Sequence, residues 1–133
     1  MSRPEMIRHL LAHAAPAIQT APDVWATDYH LPGDFPGFTG HFPGNPVLPA
    51  LLQAAMVRLL IEDILGTPCF LGVRNAKFSL PIRPDAVVTV QVTRGTGSWK
   101  AILFVRQSGS DRSETAATLS VIPVPCEEEG RVS

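Results

Sequence analysis

Read for its apolar and polar positions, the chain changes rhythm after residue 66. Before that point, Ala50–Leu65 carries apolar side chains in nearly every position, and from Ala50 to Val57 the only polar one is Gln53. A surface helix needs a polar face, so a helix apolar all round for two turns must be enclosed. The pattern predicts a helix over 47–65, with Pro49 tolerated in its first turn and Gly66 and Pro68 stopping it. Charge returns at Arg58, Glu62 and Asp63, which share an edge where the helix meets water. After Gly66 the period falls to two. Residues 70–82, 86–94, 98–107 and 114–124 are rich in valine, isoleucine, threonine and aromatics and read as strands. The short connections 95–97 and 108–112 predict antiparallel pairing in a meander.

Upstream, 4–15 reads as a short amphipathic helix with Met6, Leu10 and Leu11 on one side. Its His9 and His13 have a metal-compatible spacing, but no carboxylate or cysteine supports them, so no metal site is assigned. A strand is expected around Val24–His30, and the glycines and prolines of 32–46 make a loop. A buried helix followed by a long antiparallel sheet implies an α+β domain, 1–124, with the sheet wrapped around the helix and a disordered tail over 125–133. One sheet cannot close on every side of a helix, so a homodimer is expected.

Composition narrows the function. With 11 basic and 12 acidic residues among 133, no strong field argues for nucleic acid or an anionic membrane as partner. The N-terminal apolar run is interrupted by Arg8, His9 and His13, which excludes a membrane span there and predicts a cytoplasmic protein. Cys69 and Cys126 have no metal or disulfide spacing and read as free thiols.

The stretch "GHFPGNPVLPALLQAAM", beginning at Gly40, resembles the G-H-F-P-G-x-P-x-x-P-G-x-L segment of bacterial 3-hydroxyacyl-(acyl carrier protein) dehydratases, which have the hot-dog fold. "NAKFSLPIRPDAVV" (75–88) resembles that family's K-F-x-x-P-x-x-P-G-D segment. The resemblance covers roughly 24–122. It implies removal of water from a 3-hydroxyacyl thioester carried on acyl carrier protein or coenzyme A, as in fatty acid biosynthesis, with no cofactor. Such a reaction needs a base, an acid and donors for the developing enolate oxygen. By resemblance His41 is the base, and the backbone N–H of Ala50 is the oxyanion donor. Ala50 stands where the family has glycine, which keeps the N–H but adds a methyl group. The family's carboxylate, fourteen residues after the histidine and facing the histidine of the other subunit across the dimer interface, falls here on Ala55.

Candidate substrate contacts are Phe38, Gly40, Phe42, Pro49, Leu51 and Gln53, which flank the histidine and the helix start. Arg74, Lys77 and Arg83 are a candidate docking patch for an acidic carrier protein, against the alternative of solvated strand residues. With Ala55, three readings stay open. The first is a dehydratase whose acid is Asp34, a substrate-bound water or His41 itself. The second is a non-catalytic acyl-binding module or the partner of an active dehydratase in a heterodimer. The third is a thioesterase in which Gln53 directs water.

Overall fold

The computed structural model describes residues 3–38, Gly44 and 46–126. Its elements are α1 (Arg3–Ala12), β1 (Ile18–Ala21), β2 (Val24–Leu31), a 3₁₀ turn (Pro36–Phe38), α2 (Ala50–Leu65), β3 (Cys69–Phe78), β4 (Ala86–Thr93), β5 (Trp99–Arg106) and β6 (Glu114–Pro125). The strands form one antiparallel sheet in the order β1-β2-β4-β5-β6-β3.

The period-two pattern works as expected in the centre of the sheet. Ala86, Val88, Val90 and Val92 of β4 and Trp99, Ala101, Leu103 and Val105 of β5 turn inward. Alternating strands with one apolar face need a cover, and α2 supplies it, packing against both β4 and the distant edge strand β3. A sheet touching one helix from its middle and from its edge curls around it. The buried positions Gln53, Met56, Val57, Leu60 and Ile61 make one stripe along α2. The Gly66 cap is left-handed (φ 73°), and its N–H donates to Glu62 O at 2.8 Å. The edge expected at Arg58 and Glu62 is an ion pair of 2.9 Å, and Glu62 also accepts the Cys69 N–H at 2.9 Å, tying the helix end to β3.

Five expectations need correction. The N-terminal helix ends at Ala12 rather than at 15, because Ala14 bridges to Tyr29 and the Ala15 N–H donates to Asp28 O at 2.7 Å, joining that stretch to β2. The helix α2 starts at Ala50 rather than at 47, because Leu48 donates its N–H to Ile82 O at 2.8 Å instead of joining the helix. Pro49 is therefore the cap preceding the helix, with φ −64° and ψ 152°. The meander holds only for β4-β5-β6: β3 pairs with β6, on the far side of the sheet from β4. The β3–β4 connection, containing Pro81 and Pro84, is thus a crossover, pinned by Asp85 N–H to Leu31 O at 2.7 Å. The sheet also gains β1, a wholly exposed strand that turns into β2 at Pro22–Asp23. Finally, Pro125 ends β6 and the Cys126 N–H donates to Pro68 O at 2.8 Å, so the expected tail is ordered through 126. Residues 127–133 lie outside the described residues.

The described residues do not enclose the helix on all sides. Leu51 is 81% exposed on α2, and Phe70, Val73 and Phe78 are exposed on β3, which has a neighbour on one edge only. Among the described residues no helix is long and apolar enough to cross a membrane. His13 meets the Phe35 ring edge-on at 5.9 Å, and its carbonyl accepts the His30 N–H at 3.1 Å.

Candidate active site at the start of the buried helix

The segment Val47–Pro49 and the end of β3 with its exit, Phe78–Pro81, face one another across the N-terminus of α2. Each wall is fixed by backbone bonds. Leu48 is held on Ile82, while Ser79 and Leu80 both donate to Ala116 O, at 2.7 and 3.2 Å. Between them lies a groove of about 450 Å³, apolar except for Ser79, Gln53 and the backbone of the helix start.

Three physical features meet there. Proline at the cap has no side chain that can satisfy the first-turn N–H groups, and no side-chain cap is present. The Pro49 carbonyl accepts from Leu52 and Gln53, both at 3.1 Å. Among the described residues the N–H groups of Ala50 and Leu51 have no acceptor. These unpaired donors sit at the positive end of the helix dipole, where negative charge is stabilised. The Gln53 side chain is 4% exposed and its Nε2 donates to Leu48 O at 3.1 Å. A carbonyl oxygen can only accept, which places the amide nitrogen there and the amide oxygen on the other side. That Oε1 is buried and, among the described residues, has no hydrogen-bond partner.

Pro49, Ala50 and Gln53 thus come together on one groove. Phe38 does not join them: it is 5% exposed and packs edge-on against Phe35 at 5.8 Å. The adjoining Gly37 allows this approach, since a Cβ there would stand 2.4 Å from Phe35 Cε2 and 2.6 Å from Leu52 Cδ1. Leu51 points outward and does not line the groove. Ala55 is half-buried and lies about 200° around the helix axis from Gln53. His41, Gly40 and Phe42 fall outside the described residues. Asp34 is exposed in the turn before Pro36, and Arg74, Lys77 and Arg83 are exposed on β3 and the crossover.

Sequence reasoning missed the opposite wall. Ser79, Leu80 and Pro81 line the groove, yet the K-F-x-x-P resemblance of 77–81 already marked the segment. Its position facing the helix start depends on β3 lying at the far edge of the sheet, which a meander would not give.

A larger groove, about 590 Å³, lies at the other end of α2 between the α1–β1 connection and Gly66–Pro68. It includes Tyr29, whose phenol burial pushes up to about 12. It contains none of the residues that the resemblance assigns to chemistry.

Comparison with known proteins follows the same geography. The ApeI-like family pattern, described as ApeI dehydratase, matches residues 17–118. A 3-hydroxyacyl-[acyl-carrier-protein] dehydratase FabZ of Caulobacter sp. (strain K31) is 37% identical, the match covering 66% of this chain and 63% of the relative. A FabZ of Oenococcus oeni is 45% identical over 42% of this chain and 46% of its own length. The chain therefore spans less than two thirds of the length of these curated relatives. Among solved structures, the dehydratase heterocomplex ApeI:P from Xenorhabdus doucetiae superposes with TM-score 0.68 at 18% identity, covering 84% of this chain and 96% of that one. The dehydratase domain of the polyketide PpsC from Mycobacterium tuberculosis gives TM-score 0.68 at 17% identity, over 84% of this chain and 44% of that one. The curled sheet around α2 is the hot-dog fold.

Proposed function

We propose, from the premise that this chain belongs to the ApeI-like dehydratase family, that it eliminates water from 3-hydroxyacyl thioesters to give 2-enoyl thioesters. The observation that carries this reading is the Ala50 N–H at the start of α2, which has no acceptor among the described residues and belongs to a residue lining an apolar groove. In the sequence His41 precedes Ala50 by nine positions. In the reaction His41 takes the proton from C2, and the negative charge moves to the thioester oxygen, which the Ala50 N–H and the helix dipole stabilise. The C3–O bond then breaks. With alanine at position 55, the hydroxyl leaves as water by taking back the proton that His41 has just acquired.

The exposed basic residues Arg74, Lys77 and Arg83 suit an acidic acyl carrier protein delivering the substrate. The exposed Leu51 and the open β3 edge suit a second copy, making a homodimer. Carrier-linked acyl chemistry of this kind belongs to the cytoplasm.

Incubation with 2-enoyl and 3-hydroxyacyl thioesters, followed through the absorbance of the conjugated enoyl group, tests the reading. Interconversion lost in His41→Ala supports it. A rate no greater than that of His41→Ala rejects it.

Ala55 favours one second reading, a subunit whose active site is completed by a homologous chain. A solved structure that this chain resembles is itself a dehydratase heterocomplex. In that case the chain alone binds acyl thioesters without turnover, and mixing it with a carboxylate-bearing dehydratase subunit yields a stable, active pair.

A further inference from the structure

The dehydratase reading leaves one buried polar atom unused. Among the described residues Gln53 Oε1 is an acceptor without a donor, in a side chain 4% exposed that lines the groove at the helix start. Leaving such a group unpaired costs stability, so its retention needs a reason. Packing does not give one, because an apolar side chain of the same length would fill the same space without an orphan acceptor. The bond to Leu48 holds that carbonyl but uses the other end of the amide and leaves Oε1 unaccounted for. What that bond does is fix the amide, so that Oε1 stays aimed away from Leu48.

Two residues that line the groove therefore carry polar groups without a partner among the described residues: a donor, the Ala50 N–H, and a buried acceptor, Gln53 Oε1. A 3-hydroxyacyl thioester carries the complementary pair, an acceptor oxygen at C1 and a donor hydroxyl at C3. Its 2-enoyl product keeps the first and has lost the second. We infer that Gln53 is the recognition residue for the substrate hydroxyl: the 3-hydroxyl donates to Oε1 while the thioester oxygen accepts from the Ala50 N–H. This assignment rests on the dehydratase reading and adds the basis on which substrate is told from product. A donor brought by the ligand meets no competing water at Oε1, and sites built around a buried polar group reject analogues that leave it unpaired.

The test compares binding of three pantetheine amides of one chain length, bearing a 3-hydroxyl, a 3-methoxy group or no substituent at C3. The amide linkage prevents elimination. Calorimetry with the full chain should show the 3-hydroxy ligand binding about tenfold more tightly than the other two. In Gln53→Met the preference should fall to within about twofold. If Gln53→Met does not fold, the methoxy ligand decides: it retains the oxygen but not the donor, so tight binding of it by the unaltered protein overturns the inference. Equal binding of all three ligands, or a preference that survives in Gln53→Met, does so too. Under either result the dehydratase reading stands if enoyl thioester is still hydrated in a His41-dependent way. Absence of both ligand binding and hydration rejects the two together.

Discussion

Gln53 and Ala55 stand two residues apart on α2 and serve opposite sides of it. Gln53 belongs to the buried stripe and lines the groove beside Ala50, whereas Ala55, about 200° around the axis, shares its side with the exposed Leu51. The one polar side chain of the apolar half of the helix therefore cannot stand in for the carboxylate absent at position 55. The two positions answer different needs.

Ala50→Pro separates the oxyanion donor from the helix it caps. Proline is favoured at the first helical position, and Pro49, with ψ 152°, already has the extended backbone preferred before proline. The melting temperature should stay within a few degrees of the parent. Turnover should fall by about 10²–10³-fold, as expected on losing one oxyanion donor. Thermal melting alongside enoyl hydration checks both halves, and undiminished hydration would remove Ala50 from the site.

Leu51→Asp tests what covers the open side of α2. An acidic residue in the first turn suits the helix dipole, so the chain should remain folded, while a charge in place of an 81% exposed leucine weakens an apolar contact between copies. Sedimentation should give a dimer for the parent and a monomer for the variant. The same mass for both would exclude Leu51 from the interface.

Tyr29 makes stability depend on alkaline pH. Its phenol titrates near 10.0 in the unfolded chain and near 12 when folded, because burial disfavours the phenolate. Below pH 10 both states are protonated and the contribution is fully present. As pH rises from 10 to 12 the unfolded chain loses its proton first, so stability falls, by about 3 kcal/mol for two pKa units. Burial, followed by the Glu62 carboxylate, also pushes the Cys69 thiol up, to about 11, with the same sign. Urea unfolding of Tyr29→Phe against the parent across this range isolates the tyrosine. Parallel pH profiles would contradict the assignment.

What could be read from the sequence was whatever is encoded locally. The inward valines of β4 and the apolar run of α2 declare their elements because burial imposes period two on one and near-continuous apolarity on the other. The exposed strand β1 has no inward face to leave a pattern, so Ile18–Ala21 was legible only through the Pro22–Asp23 turn, with Asp23 at φ 62°. The placement of β3 at the far edge is a long-range choice, signalled only by Pro81 and Pro84, which suit a crossover better than a hairpin. The same limit applied to the site. Pro49, Ala50 and Gln53 were accessible through motif and helix, whereas Ser79 and Leu80 reach the groove through sheet order alone.

Restoring the carboxylate bears most directly on the claim that this is a dehydratase site complete except at position 55. Ala55→Glu, measured by 2-enoyl thioester hydration in the parent and in His41→Ala, should raise the rate by about 10²–10⁴-fold where His41 is present and leave it at background where it is not. An unchanged rate with His41 present, or an equal rise without it, would contradict the account.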